Sequence, residues 1–196
     1  MKPAPFTHLA PTSIPEALAM LGEHAPDARV LAGGQSLVPM MNFRLARPAV
    51  LIDLNRVPDL AYIRDNGDVL AIGAMTRERT IENSELVRNA APLIHQATIH
   101  IGHLPIRSRG TIGGSIANAD PAAEYPAAVL ALDCILVASS VRGNRRIAAA
   151  EFFDGVLSTT LEPDEILTEI IVPKLPPLTG SAFVEIARRH GDFALA

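Results

Sequence analysis

The chain has 196 residues, of which 48% are hydrophobic and 19% charged, with a formal net charge of −4, one Cys and no Trp. This composition is typical of a globular protein, and the acidic balance with few aromatic residues argues against nucleic-acid binding. The single Cys134 excludes an internal disulfide, a four-cysteine iron–sulfur cluster and a cysteine-built zinc site within these residues. No apolar run reaches the length of a membrane span, so we expect a cytoplasmic protein.

The first third of the chain predicts a β-α-β unit. A strand is predicted at residues 6–9, and the spacing of Ser13 and Glu16 is typical of a capping box at the start of a helix. The run Arg29-Val30-Leu31-Ala32 predicts a second, buried strand. A short helix is predicted at residues 37–43, and a third strand at residues 50–53.

A glycine pair lies between the second predicted strand and the short helix, in the run Gly33-Gly34-Gln35-Ser36. Paired glycines let backbone N–H groups turn towards an anion and leave no side chain in the way, although the same pair also serves as a plain tight turn. The spacing matches neither a Rossmann dinucleotide site nor a P-loop.

The rest of the chain predicts helices mixed with antiparallel strands. Asn66-Gly67 predicts a hairpin between strands at 60–63 and 69–72, and residues 80–100 are mainly helical with an interruption at Pro92. A loop is predicted over residues 101–110. Asp120 before Pro121 is typical of an N-cap, so we expect a helix over residues 122–132. Further strands are predicted at 134–139, 146–149 and 166–172.

A second glycine pair occurs in the run Thr111-Ile112-Gly113-Gly114-Ser115. Two segments of the same residue types, each beside a predicted helix start, could hold the two ends of one pyrophosphate. We favour this dinucleotide-phosphate hypothesis over two unrelated turns. Replacing Gly33 or Gly113 by Val is then expected to abolish binding with the fold retained, because a side chain would block the approach of the ligand to the backbone.

The segments that contain both glycine pairs, residues 32–41 and 101–121, resemble the FAD-binding medium subunit of molybdenum hydroxylases. This family includes the flavoprotein subunit of carbon monoxide dehydrogenase and the FAD domain of xanthine dehydrogenases, and the resemblance extends from residue 6 to residue 194. It implies an α+β fold of the PCMH/VAO type. A small β-α-β subdomain is expected at residues 1–55, a larger antiparallel-sheet subdomain at 56–176 and the start of a truncated C-terminal α/β domain at 177–196.

The resemblance also implies a set of FAD-binding residues. They are Ala32, Gly33, Gly34, Gln35, Ser36 and Leu37 in the first segment, Thr111, Ile112, Gly113, Gly114 and Ser115 in the second, and Ile101, Gly102, Asn118, Asp120, Glu124, Leu167 and Phe193 elsewhere. The two segments would hold the pyrophosphate region through backbone N–H groups. No catalytic residue and no metal ligand is implied in this chain.

Individual positions receive finer roles from the same resemblance. Ile101 and Gly102 would approach the flavin ring, Leu167 would lie near the adenine, and Phe193 would lie against the isoalloxazine. Four residues depart from the family pattern: Gln35 replaces a His of the carbon monoxide branch, Ser115 a frequent Asn, Glu124 a frequent Asp and Phe193 a frequent Tyr. FAD binding is expected to survive these changes.

The function implied is electron transfer. A large molybdopterin subunit would hydroxylate the substrate, a small subunit with 2Fe-2S clusters would pass the electrons on, and this chain would collect them on FAD for an external acceptor. The assembly expected is a dimer of heterotrimers. Two alternatives stay open at this point: a stand-alone FAD-dependent oxidoreductase of the PCMH/VAO superfamily, and a non-catalytic nucleotide-binding module.

Overall fold

A computed structural model describes residues 2–196. Its strands are β1 (Thr7–Leu9), β2 (Ala28–Leu31), β3 (Val50–Asp53), β4 (Ile63–Asp65), β5 (Val69–Gly73), β6 (Ile135–Ser140), β7 (Gly143–Ala148), β8 (Phe153–Gly155), β9 (Ser158–Thr159) and β10 (Ile166–Pro173). Its α-helices are α1 (Ile14–His24), α2 (Leu37–Asn42), α3 (Glu78–Glu82), α4 (Glu85–Ala90), α5 (Pro92–His100), α6 (Leu104–Arg107), α7 (Ile112–Asn118), α8 (Glu124–Ala131) and α9 (Ala149–Phe152). Short 3-10 helices cover Leu54–Arg56 and Pro58–Leu60.

The first part of the fold is a parallel sheet in the order β1-β3-β2. Helix α1 packs on β2 and β3 through the buried face that carries Ala17, Leu18 and Leu21. Ser13 caps this helix by accepting a hydrogen bond from the N–H of Glu16 at 3.4 Å, but the Glu16 carboxylate returns to the N–H of Thr12 at 2.6 Å. The predicted β-α-β unit is confirmed, with a capping arrangement displaced by one residue.

The second part is an antiparallel sheet in the order β4-β5-β10-β6-β7. The predicted hairpin turn is confirmed, with Gly67 in the left-handed region at φ +80°. Its first strand begins later than the predicted residues 60–63, at Ile63, because residues 58–60 form a 3-10 helix. Helices α5, α7 and α8 contribute to a buried core beneath this sheet, in which the Tyr125 hydroxyl lies 2.8 Å from the hydroxyl of Thr98. Strands β8 and β9 form a third, two-stranded antiparallel sheet. Separate parallel and antiparallel sheets with helices confirm the predicted α+β class, and the predicted domain boundaries stay predictions.

Three local predictions are corrected by the structure. Asp120 is not the N-cap of α8, because its Oδ1 accepts a hydrogen bond from the N–H of Ala122 at 3.0 Å and closes a turn ahead of the helix, which begins at Glu124. The predicted loop over residues 101–110 contains α6, with Pro105 in its first turn. The second glycine pair lies inside the first turn of α7 and not beside a helix.

The helices of the described residues are short. Across residues 2–196 the helices reach at most the 11 residues of α1, and none is long and apolar enough to cross a lipid bilayer.

Candidate functional site

The site begins where two neighbouring parallel strands end. β2 and β3 are hydrogen-bonded neighbours in parallel, so the residues that follow each strand meet at the same edge of the sheet. A cavity of about 330 Å³ opens there. We call it the first cavity; its walls include residues 32–35 after β2, Asp53 and Asn55 at the end of β3, and Arg109.

Residues 33–37, the first glycine loop, carry amides without protein partners. Gly34 adopts φ +77°, and helix α2 starts after Ser36, whose side chain makes no capping hydrogen bond. Among residues 2–196, no protein acceptor pairs with the consecutive N–H groups of residues 33–37. Unpaired N–H groups beside a left-handed glycine suit an anion, because each unpaired donor gains a hydrogen bond from a bound oxygen.

In residues 111–115, the second glycine segment, the N–H groups of residues 112–115 all donate to protein oxygens. Ile112 donates to the carbonyl of Thr76 at 3.2 Å, and Gly113 donates to the carbonyl of Ala74 at 2.9 Å. The N–H of Gly114 donates to the Thr111 hydroxyl at 3.1 Å, and that of Ser115 donates to the Thr111 carbonyl at 3.0 Å. Thr111, Ile112 and Gly113 are also buried, so Gly114 and Ser115 are the members of this segment with accessible surface.

Glycines let the two segments approach each other, as expected. The space that the missing side chains leave is filled by neighbouring protein atoms. A Cβ on Gly33 would lie 2.5 Å from the carbonyl oxygen of Arg109, and one on Gly113 would lie 2.4 Å from the Cβ of Ala74. A Cβ on Gly114 would lie 3.2 Å from that of Ala32. The expectation that Gly33→Val or Gly113→Val retains the fold is therefore wrong, because the new side chain would meet the protein itself before any ligand.

Polar and charged side chains tie the rim of the first cavity together. The Asp53 carboxylate accepts hydrogen bonds from the N–H and side-chain amide of Asn55 and approaches His8 at 3.2 Å. Burial alone would raise the pKa of Asp53, but these hydrogen bonds outweigh it and hold the pKa below its usual value. For Arg77, burial and the nearby Arg109 lower the pKa of the guanidinium.

A second cavity of about 400 Å³ lies between the start of α8 and the C-terminal segment. Glu124 and Glu185 both line it. Burial raises the pKa of Glu124 to about 7, and repulsion from Glu185 adds to this shift. The Glu185 side chain is only 5% exposed, and its Oε2 has no hydrogen-bond partner among residues 2–196. Phe193, 72% exposed, lies on the turn between the paired residues Ala187 and Ala194.

The predicted Ile101-Gly102 position is held by Arg107. This guanidinium donates to the carbonyls of Ile101 and Gly102 at 2.8 and 3.2 Å and pairs with Glu82 at 2.9 Å. Gly191 packs against the same place, since a Cβ there would lie 2.9 Å from the Gly102 carbonyl oxygen. The C-terminal turn and the loop predicted to face a flavin are thus in contact.

One further buried acid supports the second glycine segment. Glu78 donates its N–H to the carbonyl of Gly110 at 3.1 Å, and its carboxylate would meet a Cβ on Gly110 at 2.4 Å. Burial raises the pKa of Glu78 to about 8, with repulsion from Glu124 adding to the shift. Its Oε2 lacks a hydrogen-bond partner in the described part of the chain.

The predicted site residues are therefore divided among several places. Residues 32–35 line the first cavity with Ser36 and Leu37 beside them, and Glu124 lines the second. Asn118 ends α7 and Asp120 closes the turn before α8. Leu167, 5% exposed, lies in the core of β10 and lines neither cavity.

The sequence analysis did not identify four polar side chains at or beside the first cavity: Asp53, Asn55, Arg77 and Arg109. The position of Asp53 and Asn55 at the carboxyl end of a predicted parallel strand was a usable signal, because ligands of such sheets bind at that edge. Arg109 stood within the quoted motif. Arg77 carried no signal, since only the fold brings β5 next to the second glycine segment.

The comparisons with known proteins agree on one family. A family model described as "FAD binding domain in molybdopterin dehydrogenase" matches residues 4–175. The caffeine dehydrogenase subunit beta of Pseudomonas sp. (strain CBB1) is 46% identical over 195 residues, which cover 99% of this chain and 66% of that protein. The carbon monoxide dehydrogenase medium chain of Hydrogenophaga pseudoflava is 42% identical over 196 residues, which cover 100% of this chain and 68% of that protein.

A solved structure extends the likeness to three dimensions. The carbon monoxide dehydrogenase from Hydrogenophaga pseudoflava that lacks the Mo-pyranopterin moiety of its molybdenum cofactor superposes with a TM-score of 0.97 at 43% identity. The match covers 99% of this chain and 68% of the chain in that structure. This chain spans about two thirds of the length of the relatives that it matches.

Proposed function

Because this chain belongs to the family of FAD-binding domains of molybdopterin dehydrogenases, we propose that it binds FAD as the electron-transfer subunit of a molybdenum hydroxylase. The observation that carries the proposal is the run of unpaired N–H groups at residues 33–37, of which residues 33–35 line a cavity with Arg109 in its wall. When bound, FAD supplies a redox centre that takes up electrons singly and releases them in pairs.

The residues of the first cavity fit a pyrophosphate. Its oxygens would accept hydrogen bonds from the amides of the first glycine loop, and the guanidinium of Arg109 would offset their negative charge. Gly114 and Ser115, which adjoin Ala32, would complete the wall on the opposite side. In this proposal Ile112 and Gly113 do not donate to the pyrophosphate, because their N–H groups already donate to the carbonyls of Thr76 and Ala74.

The flavin end of the cofactor would use the region around the second cavity. Ile101 and Gly102 are fixed by Arg107, and the turn that carries Phe193 packs on them through Gly191. Glu124 in this cavity holds a proton up to about neutral pH because burial disfavours its charged form. A carboxyl group that is neutral there can donate a hydrogen bond, which an ionised one cannot.

The partners proposed are a large molybdopterin subunit and a small 2Fe-2S subunit. The relatives support a subunit of a larger assembly, since they are named as a subunit beta and a medium chain. The lone Cys134 agrees with clusters held elsewhere: it is buried, and burial raises the pKa of its thiol to about 12. A dimer of heterotrimers, which the resemblance implies, and a cytoplasmic location, which was expected from the apolar runs of the sequence, both stay predictions.

The first experiment is direct. Purified protein is mixed with excess FAD and passed through a gel-filtration column, and we expect flavin absorbance to elute with the protein. A column run with riboflavin is the control, because riboflavin lacks the pyrophosphate and should elute separately. Failure of FAD to elute with folded protein would contradict the proposal.

A second experiment tests the assembly. The complex purified from its native host should contain flavin, iron and molybdenum in constant proportion across the elution peak. Flavin with substrate-dependent reduction but without iron or molybdenum would favour the stand-alone oxidoreductase. Folded chain with neither flavin nor metals would favour the non-catalytic nucleotide-binding module.

A further inference from the structure

Two side chains connect the first glycine loop to the second glycine segment. The Asn55 Nδ2 donates to the carbonyl of Ala32 at 3.0 Å and to the Asp53 carboxylate at 2.5 Å. Its Oδ1 accepts from Nη2 of Arg77 at 2.5 Å. Nη1 of the same guanidinium donates to the carbonyl of Arg109, two residues before Thr111. These contacts form one continuous path from Ala32 to Arg109.

The two ends of this path are anchored differently. Arg77 forms an antiparallel bridge with Thr111, and the flanking hydrogen bonds from Ile112 to Thr76 and from Glu78 to Gly110 measure 3.2 and 3.1 Å. Its backbone therefore moves with the second glycine segment. Asn55 lies at the end of β3 and its backbone moves with the parallel sheet. The hydrogen bond between Asn55 and Arg77 therefore links the segment that follows β3 to the second glycine segment, beside the first cavity.

The chemistry of both side chains matches this link. An asparagine amide donates and accepts at once, so Asn55 can bind the Ala32 carbonyl while it accepts from Arg77. The guanidinium fork offers several N–H groups in a fixed plane, so Arg77 can bind Asn55 and the Arg109 carbonyl together. Aspartate at position 55 would lose both donors, and lysine at position 77 would lose the fork.

We propose that Asn55 and Arg77 are positioning residues that set the separation of the two glycine segments for the FAD pyrophosphate, an inference that rests on the proposed function. Asn55 is exposed at the rim, where hydrogen bonds add little to global stability. Their loss should therefore weaken FAD binding more than it destabilises the fold. A larger effect on FAD affinity than on the stability of the fold distinguishes a positioning role from a merely structural one.

The test measures FAD affinity by flavin fluorescence, together with thermal unfolding of the FAD-free protein. Asn55→Leu and Arg77→Met should each weaken FAD binding about tenfold, the equivalent of one or two hydrogen bonds. Because both side chains act in one path, the double variant should lose little more than either single variant. Arg146→Met, which removes an exposed guanidinium from β7, is the matched control and should bind FAD like wild type.

Conservative variants separate position from charge. Arg77→Lys keeps the positive charge, and Asn55→Gln keeps a neutral amide on a longer side chain, yet both should bind FAD more weakly than wild type. If Arg77→Lys binds like wild type while Arg77→Met does not, the residue acts by charge alone and the inference is overturned.

Amide hydrogen exchange of the FAD-free protein provides a readout without the cofactor. The hydrogen-bonded amides next to the two ends of the path, Val38 to the Gly34 carbonyl and Glu78 to the Gly110 carbonyl, both at 3.1 Å, should exchange faster in Asn55→Leu and Arg77→Met than in wild type. Unchanged exchange together with wild-type FAD affinity would overturn the inference and leave the proposed function standing. A wild-type protein that does not bind FAD would instead overturn the proposed function.

Discussion

The two glycine segments share residue types but not roles. Residues 33–37 stand outside regular structure until α2 begins, and their N–H groups have no protein acceptor among residues 2–196. Residues 112–115 lie within α7, and their N–H groups all donate to protein oxygens. A glycine pair therefore indicates close backbone approach. Whether the N–H groups donate to protein oxygens or stay unpaired indicates whether that approach serves the fold or a ligand.

If the proposed function holds, the second glycine segment contributes to stability and the first to FAD binding. Gly113 and Gly33 both admit neighbouring protein within distances that no Cβ would allow. Gly34 differs from them because its main requirement is conformational, at φ +77°. Substitutions that separate packing from conformation can therefore test the division of roles.

The largest effect is expected from Gly113→Ala. The added Cβ would lie 2.4 Å from the Cβ of Ala74 and 2.7 Å from its carbonyl oxygen, so α7 must move away from the end of β5. We expect a loss of about 3 kcal/mol in the free energy of unfolding, measured by urea denaturation. Gly22→Ala is the control: it lies in α1 with only ordinary contacts at 3.9 Å to Val141, and should be neutral or stabilising. Equal stability of both variants would contradict the packing role of Gly113.

A smaller loss of stability, with a larger effect on ligand binding, is expected from Gly34→Ala. Alanine at φ +77° costs about 1–2 kcal/mol, and the loop can relieve this cost by turning its N–H groups away from the cavity. FAD affinity should fall about tenfold. Gly67→Ala has the same kind of strain at φ +80°, in the β4–β5 turn with open space around it. It should lose similar stability and bind FAD normally; weakened binding in Gly67→Ala would show that the effect is not local.

Sequence patterns predicted the elements whose formation depends on local apolar runs and caps. The strand β3 was predicted with its observed bounds, and Ser13 marks the start of α1. They did not predict α7, because a glycine pair disfavours helix by intrinsic propensity. That helix forms where Gly113 packs on Ala74 and Thr111 caps the Gly114 amide, contacts that exist only once β5 lies beside it.

For the candidate site, too, the sequence analysis identified residues that are contiguous and did not identify contacts between distant residues. The motif residues of the first glycine loop were identified because they are contiguous in sequence, whereas the path from Asn55 to Arg77 joins residues 22 positions apart on different sheets. No spacing rule connects them. The pairing of the Ile112 and Gly113 amides also has no local sequence signal, because their acceptors, Thr76 and Ala74, are distant in sequence.

The pH dependence of stability provides a test on the second glycine segment, where Glu78 adjoins Gly110. The folded state keeps the Glu78 proton up to about pH 8, while the unfolded chain releases it near 4.5. Stability should therefore fall as the pH rises through this window, by at most about 1.4 kcal/mol per pH unit for one proton. Arg77, Arg107, Glu124 and Tyr125 are the charged and titratable groups that act on this carboxyl.

Glu78→Gln should flatten this fall, measured as urea denaturation at several pH values between about 5 and 8. Part of the slope will remain, since the pKa of Glu124 is also raised, to about 7, and acts with the same sign. Glu23→Gln, on the exposed face of α1, is the control and should keep the wild-type slope. A wild-type slope in Glu78→Gln would mean that the buried carboxyl is ionised in the folded protein.

The smallest effect is expected from Gln35→Ala in the first glycine loop. The Gln35 Nε2 donates to the Gly33 carbonyl at 3.2 Å, which closes the loop on itself from an exposed position. We expect FAD affinity to fall about two- to fivefold, the cost of one exposed hydrogen bond, with no measurable change in unfolding. Asn83→Ala removes a comparable bond, from Nδ2 to the Arg79 carbonyl at 2.8 Å, far from the loop in sequence. If both variants bind FAD equally, the loop is shaped by Gly34 and by its tie to Asn55, and its own side chain adds nothing to the alignment of the amides.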